Sequence, residues 1–505
     1  MKKRTVNVLL AILACLLLVL SPFTSSFADE RSGFHNLTEI VGQGFGSTWN
    51  RYAWSMAVHD DHVYVGTWSN QIDWPALIQA IASGELADLI GEGVNPLEGI
   101  GFVASDGGEI WRHDGGQSWT RVAKATPDTT GFRIMITYKE QLYAGTANSD
   151  EGAELWVKKE DPSVAEAETW EAVLSWPQKP DNNSIRALAT FTSPSDGEEW
   201  LLVGTENNRT GAELWAFDGS EWMHVTTLEE VHSIAEIAVY EDRYGEEKVY
   251  AGTWTFVMSF LEGSPADTFQ LYSSADPLVE DFVNVKPVFP GREYLSNLGV
   301  MKLVEYADRL YLGTVNYIDG FTLLSSDDPS EPDSWTVLTT NGFENSDSAY
   351  FWSAVVVDGM LVAGTFNSGI SGGLLPLLPL DGRAQILYTT DGVNFQTMVD
   401  DGFGVPFTYG IRCMAVSGQQ LVVGTATNFM IPDFQTSLYE DVQFEELLAV
   451  LYEGDYSAYE QIAPYLAEGL EILYASYDDD PFIGTQVWAR PISALGKETH
   501  KYGDR

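Results

Sequence analysis

A short apolar run that ends in Gly-Thr recurs seven times, and this repeat constrains the fold more than any other feature of the chain. The seven runs lie at 63–67, 142–146, 201–205, 249–253, 310–314, 361–365 and 421–425. Self-similarity at this period is the signature of an architecture in which one small supersecondary unit is repeated. The whole chain must therefore be interpreted repeat by repeat.

Each Gly-Thr run is flanked by further strand patterns. An apolar strand precedes it, as at 54–58 and 411–416, and a third strand that often starts with Glu or Gln follows it, as at 213–215. A fourth strand often starts with an aromatic residue, such as Trp119 or Trp170. Short β-branched and aromatic runs separated by turns are typical of antiparallel strands, and four such strands repeated radially make propeller blades. The sequence predicts an all-β, seven-bladed β-propeller.

The two ends of the chain are predicted to meet. The last repeat lacks a fourth strand, and the pattern of residues 34–46 matches that of 394–404, which includes a fourth strand. We therefore expect the N-terminal strand to complete the last blade, which would remove exposed sheet edges. The propeller is predicted to be a single domain over 29–495, followed by a tail at 496–505.

Two segments break the strand pattern. Apolar residues recur at helical spacing in 74–92 and in 434–477. Each segment lies between the second and third strands of its repeat, so helical insertions are predicted in blades one and seven. These two blades are neighbours in a closed ring.

The first 28 residues resemble a secretory signal peptide. Lys2, Lys3 and Arg4 precede an apolar run at 6–20, and Ser26 and Ala28 are small residues at a cleavage site. The apolar run is too short for a comfortable membrane span. We expect cleavage after about Ala28 and a secreted, extracellular or periplasmic protein without a membrane span.

The chain is strongly acidic, with 27 Lys and Arg against 73 Asp and Glu and a formal net charge of −46. Such a chain repels nucleic acid and anionic membranes. After cleavage only Cys413 would remain of the two cysteines, so the fold must be held by its core rather than by disulfides. We expect a monomer.

The segment at 114–119, Asp-Gly-Gly-Gln-Ser-Trp, resembles an Asp-box, the hairpin of the sialidase-like and BNR-repeat propellers. The resemblance rests on Asp114, Gly116 and Trp119, and Asp218-Gly219 and Asp391-Gly392 look like degenerate copies. It implies a structural role for these residues: the Asp accepts turn N–H groups, and Gly permits a positive φ. Fold likeness of this kind does not define an activity.

Sialidases of this superfamily hold a sugar carboxylate with three arginines. Residues 132–134, Phe-Arg-Ile, are similar to the start of their Phe-Arg-Ile-Pro motif, but Met135 replaces the proline. Sialidases are also usually six-bladed. These departures weaken the catalytic analogy, and no catalytic residue is assigned.

Aligning the first strands of the repeats shows a candidate ligand site. One position holds Trp54, Arg133, Arg186, Ala235, Gly299, Trp352 and Arg412. The planar guanidinium group of arginine presents paired N–H donors that match the two oxygens of a carboxylate or phosphate. We therefore predict a shared anion site of Arg133, Arg186 and Arg412, with Trp54, Trp352 and Tyr409 beside it. The alternative is that each arginine pairs with its own acid.

Other polar clusters are interpreted as turns or solvated loops. Residues 59–62, His-Asp-Asp-His, fall at a turn between strands, and no metal site is assigned to them. No cofactor is predicted. Calcium binding at 478–480 or at Asp150 and Glu151 stays open, although neither has the loop pattern of a dedicated site.

Two functions remain for such a chain. The first is a secreted propeller that binds a carbohydrate or protein ligand, with an anionic glycan as one option, on the face of the helical insertions. The second is a glycan-active enzyme, a sialidase-like hydrolase or a polysaccharide lyase, acting on an acidic sugar. A glycosidase needs two carboxyl groups, or a tyrosine and an acid, beside the bond, and Glu236 is the only acid placed suggestively.

Overall fold

The computed structural model describes residues 37–69, 71–72, 103–160, 168–177, 179–207, 209–229, 231–254, 269–288, 297–317, 319–367, 384–405, 408–427 and 484–495. This part of the chain is all-β. Its helical elements are a four-residue turn at Gln43–Gly46 and three 3₁₀ turns at Pro332–Ser334, Gly402–Gly404 and Ile492–Ala494.

Short strands run along the whole described chain. They are β1 (Thr38–Val41), β2 (Asn50–His59), β3 (His62–Ser69), β4 (Gln71–Ile72), β5 (Val103–Ala104), β6 (Glu109–Gly115), β7 (Ser118–Lys124), β8 (Thr129–Tyr138), β9 (Gln141–Asn148), β10 (Leu155–Glu160), β11 (Glu168–Ala172), β12 (Ser184–Thr192), β13 (Glu199–Glu206), β14 (Ala212–Phe217), β15 (Trp222–Leu228), β16 (Ser233–Glu241), β17 (Glu247–Trp254), β18 (Leu271–Ser274), β19 (Val283–Asn284), β20 (Gly299–Tyr306), β21 (Arg309–Val315), β22 (Leu323–Ser326), β23 (Thr336–Thr339), β24 (Ser348–Val357), β25 (Met360–Asn367), β26 (Ile386–Thr389), β27 (Gln396–Val399), β28 (Thr408–Ser417), β29 (Gln420–Thr427) and β30 (Val487–Pro491). All pairings are antiparallel, and within each repeat the strands pair in chain order, as β12 to β15 do.

The first strand of each repeat also pairs with the second strand of the repeat before it. Each of these links is a single residue pair, such as Ser184 with Ala147 or Ser233 with Glu206. The last link joins Tyr52 of β2 to Ala426 of β29. The inner fourteen strands, two from each repeat, thus close into a ring. They belong to one 28-stranded sheet, and β4 and β5 form a separate pair.

This topology corrects the predicted fold class. The radial order of strands is that of a β-propeller, but the prediction of a seven-bladed propeller is wrong, because the strands form one continuous sheet with a closed inner barrel rather than separate blades. Helical insertions are also absent from the described residues, and the segments predicted to hold them, 74–92 and 434–477, lie outside that part.

The glycine of the Gly-Thr motif is the physical reason for the continuity. A Cβ built on any of these glycines would lie 2.4–2.8 Å from an atom of a neighbouring residue. For Gly313 the neighbours are side-chain atoms of Phe351, on the first strand of the next repeat, at 2.5 Å and beyond. Real side chains do not approach so closely, so only glycine lets successive repeats come within hydrogen-bonding distance.

The threonine of the same motif forms a hydrogen bond to the third strand. In every repeat its side-chain oxygen accepts a backbone N–H at or next to the start of that strand, as Thr205 does from Glu213 at 2.9 Å. The same bond is made by Thr67, Thr146, Thr253, Thr314, Thr365 and Thr425. The seven glycines and seven threonines are called the Gly-Thr layer below.

The N-terminal strand lies beside the C-terminal strand. β1 pairs antiparallel with β30, with Thr38 opposite Ala489 and Val41 opposite Val487. Residues from both ends of the described chain share one buried cluster there, which includes Leu495 and has Leu37 and Trp488 packed against it. The N-terminal strand therefore completes the sheet of the last repeat, outside the ring that β2 and β29 close.

Candidate functional site

A β-bulge recurs at one position in the first strand of every repeat. The ladder skips one residue there, for example between Phe132 and Ile134 and between Ile411 and Cys413. The skipped residues are Trp54, Arg133, Arg186, Ala235, Met301, Trp352 and Arg412. A bulge leaves one residue unpaired and redirects its side chain. All seven of these residues, called the bulge ring below, line one central cavity of about 180 Å³.

The structure places the predicted anion residues around this cavity and corrects one position of the alignment. In the fifth repeat the bulge falls at Met301, between Val300 and Lys302, and not at Gly299. Gly299 instead pairs with Val315 and lies against the ring of Trp254. A bulge adds one residue to a strand without changing its apolar pattern, so sequence periodicity does not locate it.

Two of the arginines share one carboxylate. Glu206 lies 3.1 Å from Nη1 of Arg133 and 2.7 Å from Nη1 of Arg186. Burial raises the pKa of Glu206, but the charges of Arg133 and Arg186 outweigh it and hold that pKa below its usual value. Sequence reasoning missed Glu206. A signal was present, because Thr205 is the only Gly-Thr threonine that is followed by an acid.

Each arginine also lies over a tryptophan ring. The Arg133 guanidinium carbon is 5.0 Å from the centre of Trp54, that of Arg412 is 5.4 Å from Trp352, and that of Arg186 is 3.8 Å from Trp254. A cation over an aromatic face is stabilised by the ring quadrupole. Trp54 and Trp352 thus support the arginine of the next repeat.

Arg412 differs from the other two arginines. In the described part of the chain no carboxylate lies within 4.0 Å of it, whereas Arg133 and Arg186 both contact Glu206. A buried guanidinium nitrogen without a hydrogen-bond partner is common to all three arginines. Burial, and then the charge of Arg133, lower the pKa of Arg412 to about 10. It is therefore still a cation at neutral pH, held in a cavity without a matching negative charge.

The three arginines are close enough to influence one another. Burial first, and then the charges of Arg133 and Arg412, lower the pKa of Arg186 well below its ordinary value, although Glu206 opposes the shift. Mutual repulsion of this kind requires a shared space. The three arginines thus border one space, in which Glu206 binds two of them and does not neutralise the third.

A second ion pair lies on another wall of the cavity. Lys302 contacts Glu236, each one residue beyond the bulge position of its repeat. Counting Glu206 with the lining residues, the site holds four cations (Arg133, Arg186, Lys302 and Arg412) and two acids. The walls therefore carry a net charge of +2 in a chain whose net charge is −46.

Tyr409 lies outside the cavity lining, in a group of aromatic residues at the start of the first strands. Its hydroxyl contacts that of Tyr52, and the two rings lie 5.8 Å apart. Trp68 and Phe366 pack against these tyrosines. Burial raises the pKa of Tyr52 to about 12, so its hydroxyl stays protonated. Tyr52, Trp68, Tyr350, Phe366 and Tyr409 are called the aromatic layer below.

The hairpin of the Asp-box resemblance lies at the outer edge of the sheet. Asp114 accepts from Nε of Arg112 at 2.7 Å and from the hydroxyl of Thr120 at 2.5 Å. Trp119 packs edge-on against Phe45. The backbone bonds expected of the box are made in both degenerate copies: Asp391 accepts the N–H groups of Val393 and Asn394, and Asp218 accepts those of Ser220 and Glu221.

The 59–62 segment is the turn between β2 and β3. Asp60 and Asp61 have φ of 48° and 61°, His59 contacts Asp60 at 3.0 Å, and His62 bonds to the carbonyl of His113. The backbone N–H of Asp150 donates to Oδ1 of Asn148 in a turn, and 478–480 lies outside the described residues. Within the described ranges, no helix is both long and apolar enough to cross a membrane.

Comparisons with known proteins return solved structures only. No protein-family model matches the chain, and no curated protein matches it. The structure of the Dos1 propeller is 11% identical, with 64% of this chain and 72% of that chain covered and a TM-score of 0.39. Sqt1 of Chaetomium thermophilum is 10% identical, with 77% and 82% covered and a TM-score of 0.41.

A third similar structure is an enzyme. Puromycin hydrolase is 12% identical, with 78% of this chain and 53% of that chain covered and a TM-score of 0.41. Likeness of this degree carries no conclusion about what the present chain binds or does.

Proposed function

We propose that the protein is an exported binding module whose central channel takes an anionic ligand on Arg412. The proposal includes the signal peptide at 1–28, a single propeller-type domain over 29–495, the Asp-box/BNR kinship and a monomeric state. Arg412 is the observation that carries it: a guanidinium inside a cavity, supported by Trp352, with no carboxylate of the described residues within 4.0 Å.

Electrostatics favour an anion at this point. A buried charge is costly unless it is paired, and the lowered pKa of Arg412 reflects that cost. A ligand carboxylate or phosphate would relieve it through paired N–H···O bonds. Glu206 keeps Arg133 and Arg186 in place and reduces their mutual repulsion, so the ligand faces a prepared site.

The ligand proposed from the sequence is the acidic group of a carbohydrate or of a protein. Either presents a carboxylate to the same guanidinium. The glycan-active alternative has less support, because a glycosidase needs a carboxyl that donates a proton. The pKa of Glu206 is lowered by its two arginines, which makes it a poor proton donor, and Glu236 is engaged by Lys302.

Calorimetric titration with glucuronate, succinate and phosphate at low ionic strength tests the proposal. We expect at least one of these anions to bind and Arg412→Gln to weaken it at least tenfold, because Gln keeps donors but removes the charge. Arg209→Gln is the matched control, since Arg209 is exposed and pairs with Asp181 at 3.3 Å. Absence of anion binding, or equal affinity in Arg412→Gln, would overturn the proposal.

A further inference from the structure

The cavity lies on one side of the bulge ring. Its lining consists of the seven bulge residues and, in every strand except that of Arg186, of the one or two residues that follow, such as Ser55 and Met56, or Ser353 and Ala354. The space therefore extends along the first strands toward their C-terminal ends, where turns lead into the second strands.

The aromatic layer stands on the other side of the bulge ring. Tyr52, Tyr350 and Tyr409 each lie two or three residues before a bulge residue, and none of them lines the cavity. The ring of Tyr52 lies 4.5 Å from Trp68 and 5.9 Å from Trp352, and Trp352 stacks against Tyr409 at 6.4 Å. Interlocked side chains thus stand between the arginines and the start of the strands.

At the C-terminal ends of the first strands, away from the aromatic layer, the side chains are exposed. Residues two apart in a strand point to the same side, so Val58 and Val356 continue the direction of Met56 and Ala354. Val58 is 37% exposed and Val356 is 43% exposed. The channel therefore opens to solvent at the ends of the first strands.

The size and charge of the cavity limit what it can hold. Its volume of about 180 Å³ is far above the roughly 10–15 Å³ of cavity space that one water molecule needs, so a four-carbon dicarboxylate or a phosphate group fits. A stretch of linked sugar rings would have to pass through the cavity, and the aromatic layer stands in its way on one side. Walls with a net charge of +2 favour a dianion over a monoanion.

We infer that the ligand of this channel is a small dianion that enters through the mouth marked by Val58 and Val356. This inference rests on the proposed function. It places the binding event on the side away from the aromatic layer, and it makes the bound group a small molecule or a terminal acidic group rather than an internal segment of a polysaccharide.

Site-directed labelling tests the route. Val356→Cys, modified with a bulky uncharged maleimide, should lose at least tenfold in affinity for succinate, because the label fills the mouth. Val393→Cys is the matched control, since Val393 is 60% exposed and lies in the outer turn before β27. Burial raises the pKa of the Cys413 thiol to about 12, so that residue does not compete for the reagent.

The outcomes separate this inference from the proposed function. If the unlabelled protein binds none of acetate, succinate, phosphate or hexagalacturonate, the proposed function itself fails. If succinate binds equally well to both labelled variants at unchanged melting temperature, the route is wrong. Tighter binding of acetate than of succinate would overturn the inferred preference for a dianion. Tighter binding of hexagalacturonate than of succinate would overturn the inferred exclusion of a polysaccharide segment. Loss of succinate binding in labelled Val356→Cys alone supports the inference.

Discussion

The Gly-Thr layer and the bulge ring are adjacent and equally repetitive in backbone, yet they differ in sequence. Every copy of the Gly-Thr layer has the same two residues with the same contacts. The bulge ring has one backbone geometry but four residue types among its seven positions. The close approach of the next repeat recurs at every glycine of the Gly-Thr layer, so the same residue is needed in every repeat. The channel is a single space shared by all repeats, so the residues that line it can differ.

The three arginines of the bulge ring are not paired alike. Arg133 and Arg186 lie in consecutive repeats and share Glu206, whereas Arg412 lies apart from them, beyond Trp54. A purely structural ring of arginines would give each one a counter-ion. The Gly-Thr layer thus specifies the fold, and the unequal pairing of the bulge-ring arginines is the reason that the proposed ligand is assigned to that ring.

The largest expected effect comes from breaking the Gly-Thr layer. Gly313→Ala puts a methyl group 2.5 Å from the Cβ of Phe351, and overpacking of this kind costs about 3 kcal/mol. Gly42→Ala is the control, since its added methyl group meets only the flexible carboxylate of Glu39. Denaturant unfolding measures both. Equal stability of the two variants would remove the steric explanation of the motif.

Thr205→Val should destabilise the protein by less than Gly313→Ala does. The substitution keeps the shape but removes the oxygen that accepts the N–H of Glu213, and a buried N–H left unpaired costs about 1–3 kcal/mol. Thr336→Val, on an exposed position of β23, is the matched control. A loss of unfolding free energy below about 0.5 kcal/mol, the usual range for surface changes, would show that the hydrogen bond of the threonine does not stabilise the third strand.

The smallest effect concerns the pH dependence of the bulge ring. Burial and the charge of Arg133 lower the pKa of Arg412 to about 10, and an anion binds the charged form. Succinate affinity should therefore be level near neutral pH and lost as pH rises through about 10, with a slope approaching tenfold per pH unit, or about 1.4 kcal/mol. A level profile through that range, with the protein still folded, would exclude Arg412 as the binding cation.

Much of this architecture is readable from sequence, because repeated residues report repeated contacts. The strands, the meeting of residues 38–41 with the C-terminal strand and the arginine position all follow from pattern. The joining of the repeats into one sheet does not, since it depends on single residue pairs between strands distant in sequence. The bulge at Met301 was missed because a bulge leaves the apolar pattern unchanged. The sequence singles out Glu206 as the one acid after a Gly-Thr threonine, but its contacts with two arginines of different repeats show only in three dimensions.

Anomalous diffraction from crystals grown with selenate would show whether the channel binds an anion at Arg412. Selenate is a small dianion with a strong anomalous signal, so its position can be located without a prior assumption. We expect a peak in the central cavity within hydrogen-bonding distance of the Arg412 guanidinium, and its loss in Arg412→Gln. Peaks confined to the outer surface, or an unchanged central peak in Arg412→Gln, would exclude Arg412 as the anion-binding residue.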